Sequence, residues 1–373
     1  MKIAILHEMF VKLGWAEKVV ESFLEAFPDA DLFTLIYDEK KVSTIFPKNK
    51  INSQVFNLKT QKIYNLFWKQ RLCLPYMALS VEQLDFSMYD VVLCSSSWFT
   101  HWAITKPETK FIVYYHSPSR YLWDYTNEYK KSIWFSSGIK SYFLNNLFLK
   151  LRIWDFIASK RVDLPIMASK HVAKRLKKYY KRNDYKVIYP SVEVEKFINY
   201  KDLEKKDYYI TVAALTEWKR LDILINAFNK MTDKKLKIVW VWNYESEYKK
   251  LIKSKNIELL WFKSWIELIE LLKQAKWFLF ASEDDFWISP VEALASNTPV
   301  FALYKWWALE TNISWITWEF FEDSNWEDFL EKFKNFEKNI ENKVYKKENL
   351  IKQAKKFSKQ NFIKEIQNIV KNI

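Results

Sequence analysis

The chain has 373 residues, 49% of them hydrophobic, which is enough for two packed domains and excludes wholesale disorder. Its net charge of +14, from 59 basic and 45 acidic residues, suits a polyanionic substrate or an anionic membrane surface. No zinc-finger spacing or RNA-binding signature accompanies that charge, so nucleic acid is not the expected partner. No apolar run nears the roughly 18 residues of a spanning helix.

Residues 2–7 read as a first buried strand, and Val11 to Val20 as the start of an amphipathic helix. This opening is too short and too quickly structured for a secretory leader. Further strands are expected at 31–36, 90–94, 110–115 and 164–168, followed by a helix over 169–180. Cys73 and Cys94 lie in apolar stretches, which points to a reducing compartment and no disulfide framework. The aromatic, leucine-rich and basic stretch 132–157 reads either as a core-facing helix or as a face resting on lipid headgroups. A charged run, Lys201 to Asp207, opens a second domain. Strands follow at 209–213, 236–241, 257–262, 278–281 and 299–303, with helices at 266–275 and from Pro290. A basic amphipathic helix from Asn349 to Ile373 ends the chain. Strands alternating with helices in two halves predict two parallel α/β sheets, whose ligands bind at the carboxyl edges of the strands.

Glycine and tryptophan counts are anomalous. Average usage would give about 26 glycines, yet there are 2, against 19 tryptophans. A doubly wound protein needs glycine for its turns and close backbone approaches. Many tryptophans stand where such glycines belong: Trp15 after Gly14, Trp240 and Trp242, Trp261, Trp287, and the pair Trp306 and Trp307. We read this as a gene in which UGA encodes glycine, translated as though it encoded tryptophan. The alternative is a genuinely tryptophan-rich protein.

With Trp287, Trp306 and Trp307 read as glycine, the stretch from Ser282 to Asn312 resembles the donor site of the retaining, nucleotide-sugar-dependent glycosyltransferases of family 4. The family's two acids, eight positions apart, fall on Asp284 and Glu292, and its Gly-Gly loop falls on Trp306 and Trp307. Gly14-Trp15-Ala-Glu resembles the family's first phosphate loop, and Trp240-x-Trp242 resembles Gly-x-Gly. The segment from Leu74-Pro75 through Asp90-Val-Val-Leu-Cys-Ser-Ser-Ser closely resembles one subgroup of the family, mannosyltransferase-like and of polysaccharide and lipopolysaccharide assembly. The run from Tyr115 through His116-Ser-Pro-Ser-Arg-Tyr-Leu-Trp-Asp124 resembles the family's sugar-contacting histidine and the acceptor loop that follows it. Trp123 and Trp154 are tryptophan in the family too.

The resemblance implies the GT-B fold: two Rossmann-like domains facing across a cleft, with the C-terminal helix packed back on the first. It places an acceptor domain at 1–195 with 355–373, and a nucleotide-sugar domain at 196–354. Catalysis would rest on His116, Asp284 and Lys219. Donor binding would fall to Gly14, Trp15, Lys219, Arg220, Asp285, Phe286, Trp287, Ile288, Glu292, Trp306, Trp307, Ala308 and Leu309. Acceptor binding would fall to Ser117, Arg120, Tyr121, Trp123 and Asp124. Two departures from the pattern stand out: Ala214 replaces the family's arginine, and Asp284 replaces its glutamate. The implied activity is transfer of a hexose, with mannose the first expectation, from a GDP- or UDP-sugar to a glycan or a polyprenyl-diphosphate-linked glycan. No cofactor or metal is expected. The expected location is cytoplasmic, with the inner face of the cell membrane as a docking surface. Two alternatives stay open: a nucleotide-sugar epimerase of the same fold, and a catalytically inactive, membrane-docked assembly subunit.

Overall fold

The computed structural model describes all residues except 128–129, 131–137, 216–218, 242–244, 262, 283–287, 305–309, 311–317, 323–324, 342–344 and 373. The chain forms two compact units, Met1–Ser191 with Phe362–Ile373, and Val192–Asn361. The sequence places the corresponding boundaries after residues 195 and 354.

Six strands build the first sheet: β1 (Ile3–Phe10), β2 (Asp31–Tyr37), β3 (Val91–Ser96), β4 (Lys110–Tyr115), β5 (Leu164–Met167) and β6 (Lys186–Val187). They pair in parallel in the order β2-β1-β3-β4-β5-β6. Each central strand is buried on both faces, which is why its sequence is a near-continuous apolar run. On β1, Ile3, Ile5 and Phe10 enter one core while Ala4 and Leu6 enter the other. The strand order reverses between β1 and β3, which leaves a crevice at their carboxyl ends.

Helix α1 (Trp15–Ala26) buries Val19, Val20, Phe23 and Ala26. Helix α2 (Lys59–Phe67) ends on Trp68, whose φ of 54° is left-handed. Glycine is the usual residue at that position because it has no Cβ to clash. The Trp68 side chain is 58% exposed. Helix α3 (Gly138–Ala158) buries Phe148, Asp155 and Ala158 in the first core.

The second sheet comprises β7 (Tyr209–Ala214), β8 (Leu236–Val241), β9 (Ile257–Leu260), β10 (Trp277–Phe280), β11 (Val300–Leu303) and β12 (Trp318–Phe321). Its parallel order, β12-β11-β10-β7-β8-β9, has the connectivity of the Rossmann sheet, with its switch point between β7 and β10. Helix α4 (Leu221–Lys230) buries Leu221, Leu224, Ile225 and Phe228. Helix α5 (Ile288–Ala295) is buried along its whole length. Helix α6 (Trp326–Glu341) turns Phe329, Phe333 and Phe336 inward at helical spacing. Phe329 and Phe333 stack at 5.3 Å, and Phe336 meets the fully buried Trp277 edge-on at 3.9 Å between centroids.

The tail is two helices, α7 (Lys347–Lys355) and α8 (Lys359–Lys371), rather than the single one expected from Asn349. The break arises because backbone at 357–359 bonds Val192 instead of continuing the helix: Val192 N–H donates to the Phe357 carbonyl at 2.9 Å, and Lys359 N–H donates to the Val192 carbonyl at 3.0 Å. Beyond it, α8 sets Phe362, Ile366, Ile369 and Val370 into the first unit's core, and Phe362 stacks on Phe23 at 5.8 Å. The C-terminal helix thus packs on the first unit.

Candidate active site

In the second unit, the chain leaves β7 at Ala214 and reaches Lys219 and Arg220 just before α4. It leaves β10 at Phe280 and re-enters regular structure at Ile288, the first residue of α5. The two connections flank the β7/β10 switch point, where doubly wound sheets hold their ligands. Lys219 and Glu292 are both buried, Glu292 to 6% exposure on α5. Helix α5 is tied to β7 by the Ser289 hydroxyl, which donates to the Val212 carbonyl at 3.3 Å. Arg220, in left-handed backbone with φ 47°, pairs with Asp222: Nε to Oδ1 is 3.1 Å and Nη2 to Oδ2 is 3.1 Å. Its charge is therefore partly spent within the turn. Asp284, Asp285, Phe286, Trp287, Trp306, Trp307, Ala308 and Leu309 lie outside the described residues.

In the first unit, the carboxyl ends of β1, β3 and β4 converge on a buried polar group. Gly14 precedes α1, with Trp15 as the helix's first residue. The Gly14 N–H, expected from the sequence to meet a phosphate, donates instead to Glu17 Oε2 at 2.9 Å. A Cβ at position 14 would stand 2.9 Å from that same oxygen. Glu17 Oε1 lies 3.8 Å from His7 Nε2. His7 Nδ1 is 3.1 Å from Ser95 Oγ, which is in turn 2.8 Å from His116 Nε2. Burial drives His116 down to a pKa of about 3, with the neighbouring His7 charge acting in the same direction, so His116 is neutral at physiological pH. Burial also works against charge on His7, but Glu17 and then Glu8 outweigh it and its pKa is raised. Glu17 is held below the usual carboxylate range: burial opposes this, and His7 more than offsets it.

Glu8 braces the loop after β3. Its Oε1 accepts from the Ser97 and Trp98 N–H groups at 2.6 Å each, and from Thr100 Oγ1 at 3.2 Å. His7, Glu8 and Ser95 do not stand out in the sequence as site residues, and Glu17 appears there only as the last residue of the phosphate-loop pattern. The β1–β3 register sets His7 opposite Ser95, and α1 brings Glu17 back onto His7.

The segment after His116 divides in two. Ser117 is buried, Arg120 lies over the Tyr125 ring at 3.9 Å, and the partly exposed Tyr121 packs against Trp98 at 5.2 Å. Trp123 and Asp124 are taken up internally. The Trp123 indole N–H donates to Asp155 Oδ2 at 2.7 Å and its ring stacks on Tyr179 at 4.9 Å, while Asp124 Oδ2 accepts from Arg175 Nε at 2.7 Å. These contacts give Trp123 and Asp124 a structural role that their assignment to acceptor binding does not include. Among the described residues, no group of three or more His, Cys, Asp or Glu could hold a metal ion. No described helix is long and apolar enough to cross a membrane.

Comparison with known proteins agrees with this architecture. Residues 193–357, nearly all of the second unit, match the family model of the glycosyl transferases group 1. No curated protein matches the chain. Among solved structures it is similar to Anabaena Alr3699/HepE in complex with UDP-glucose, at 13% identity and TM-score 0.72 with all of both chains covered. It is also similar to the sucrose-phosphate synthase of Thermosynechococcus elongatus, at 12% identity and TM-score 0.71, over 100% of this chain and 99% of that one. A glycosyltransferase from Rickettsia africae is 17% identical with TM-score 0.63, over 100% and 98% of the two chains. The fold is GT-B.

Proposed function

We propose that the protein is a retaining glycosyltransferase that moves a hexose from a nucleotide sugar to a glycan or lipid-linked glycan. One observation carries the reading: buried Lys219 and Glu292 flank the β7/β10 switch point of the unit that matches the group 1 family. As the sugar–phosphate bond breaks, positive charge develops on the sugar and negative charge on the departing diphosphate. A fixed cation in a dry crevice stabilises that charge without reorganising at the moment of reaction, and Lys219 supplies it. Glu292 accepts the ribose hydroxyls of the donor, Asp284 the hydroxyls of the sugar, and His116 bonds the sugar as it transfers. The resemblance of segment 74–97 to the mannosyltransferase-like subgroup points to mannose from GDP-mannose. HepE's complex with UDP-glucose supports a second donor, UDP-glucose. Turnover measured across GDP- and UDP-sugars separates the two, and no transfer or hydrolysis with any donor would favour the inactive assembly subunit. Lys219→Ala and Glu292→Ala are each expected to lower turnover by at least about tenfold, the worth of one charge-assisted hydrogen bond. Unchanged activity of both variants at subsaturating donor would remove the site.

We propose an anionic membrane surface as the docking partner of the first unit. On α3, Tyr142, Leu149, Ile153 and Ile157 form an exposed stripe at helical spacing, opposite the face that buries Phe148 and Asp155; Tyr142 alone is 66% exposed. Lys150 flanks the stripe, and the net charge of +14 favours anionic headgroups. The protein is expected to float with anionic liposomes at low salt and to release near 1 M salt, where screening shortens to about 3 Å. Failure to float at low salt ends this part of the proposal and leaves the enzymatic reading intact.

A further inference from the structure

The buried chain Glu17–His7–Ser95–His116 has a direction, and the direction follows from counting protons. Ser95 Oγ lies within hydrogen-bonding distance of two imidazole nitrogens, His7 Nδ1 at 3.1 Å and His116 Nε2 at 2.8 Å. A hydroxyl has one proton, so it donates to one ring only. The surroundings decide which. His7 stands between two carboxylates, with Glu17 Oε1 3.8 Å from its Nε2 and Glu8 Oε2 3.9 Å from its Nδ1. Lys12, in the loop before α1, favours the charged form of Glu17. Beside His116 the packed group is the Tyr114 ring at 5.2 Å, and the acid behind that tyrosine, Glu365, is on α8. A protonated His7 has N–H groups on both nitrogens and nothing to accept with, so Ser95 accepts from it and keeps its own proton for His116 Nε2, the other ring nitrogen within reach.

Building on the assignment of His116 to the donor sugar, we propose that His7 and Ser95 are positioning residues that hold His116 as its neutral Nδ1–H tautomer. His116 Nε2 is then committed as an acceptor, and its remaining polar atom is a donor only. The ligand group it serves must therefore be an acceptor oxygen, such as a sugar hydroxyl oxygen or a phosphoryl oxygen. The burial that keeps His116 neutral supports the arrangement, because a second cation beside His7 would be repelled. The lock is also pH-dependent. His7, whose pKa Glu17 and Glu8 raise, keeps its proton to higher pH than a free imidazole and loses it above that. Once Nδ1 of His7 is bare it competes for the serine proton, and His116 is freed to adopt the other tautomer.

The test is long-range 1H–15N correlation on the full chain with ring-labelled histidine, which contains only four such residues. On the acid side of the His7 titration the expected spectrum has His7 protonated on both nitrogens and His116 protonated on Nδ1 alone. Raising the pH should move the His116 signals with the same midpoint as those of His7. In S95A the His116 signals should shift toward a tautomer mixture, and turnover should fall about tenfold, the worth of one hydrogen bond. An Nε2–H tautomer of His116 in the unaltered protein, or His116 signals indifferent to the His7 titration, overturns the proposal whether or not S95A folds. Unchanged turnover in H116N would instead sink the assignment of His116 to the sugar, and it leaves the spectral result standing.

Discussion

Asp155→Ala is expected to cost about 3–5 kcal/mol of stability, the range for removing one partner from a buried charged network. Asp155 lies on α3 and is fully buried. Its Oδ1 accepts from the Trp102 indole at 3.0 Å and lies 3.1 Å from His101 Nε2. Its Oδ2 accepts from the Trp123 indole at 2.7 Å and the Tyr180 hydroxyl at 2.9 Å. Truncation to alanine strands these donors in a dry core, and each stranded group costs about 1–3 kcal/mol before relaxation. Burial, and then the Asp155 charge, push the Tyr180 phenol well above its usual range, so Tyr180 stays a donor. Asp155→Asn keeps the shape but turns an NH2 group against donors, so it should lose a large part of the same energy. Urea unfolding of the full chain measures both variants. A loss under about 1 kcal/mol for the alanine variant would show that water satisfies these groups and that the network is not a structural keystone.

That network marks where the sequence stops being legible. The strands are readable because parallel strands buried on both faces leave continuous apolar runs such as Val91–Ser96 and Lys110–Tyr115, found within a residue or two of expectation. The donor-site frame is readable for the same reason, since β10 and β11 are short buried apolar runs on either side of α5. Asp155 meets Trp102 and Trp123 across 53 and 32 residues, and Ser95 meets His7 across 88. No local spacing encodes such pairs; the strand order β2-β1-β3-β4 does. Glu17 is a further instance. In the sequence it is the fourth residue of a phosphate-loop pattern, and only the β1–α1 geometry turns it back onto Gly14 and His7.

The largest effect on ligand binding is expected from the tryptophans, and the structure divides them by what they do. Trp102 and Trp277 are fully buried, and the Trp102 and Trp123 indoles each donate to Asp155. Glycine at 102 or 277 would leave a cavity worth at least about 3–5 kcal/mol. Trp68 and Trp261 are the reverse. Trp261 is 64% exposed, and Trp68 occupies a left-handed helix cap, where any side chain costs about 1–2 kcal/mol. We therefore add position 68 to the set proposed as glycine: 15, 240, 242, 261, 287, 306 and 307. Trp68→Gly alone should raise stability by about 1 kcal/mol despite the loss of its ring contact with Tyr64 at 5.9 Å. If positions 15, 306 and 307 serve the donor diphosphate as proposed, an indole there would fill the volume the diphosphate needs, so steric exclusion is expected to outweigh strain. The chain with glycine at all eight positions, retaining Trp102, Trp123, Trp154 and Trp277, is expected to bind nucleotide sugar, and the chain as written to bind it weakly or not at all. Calorimetric titration of both with GDP- and UDP-sugars decides the matter. Equal, tight binding by the chain as written would mean that its tryptophans are native and that these loops hold their ligand by some means other than bare backbone.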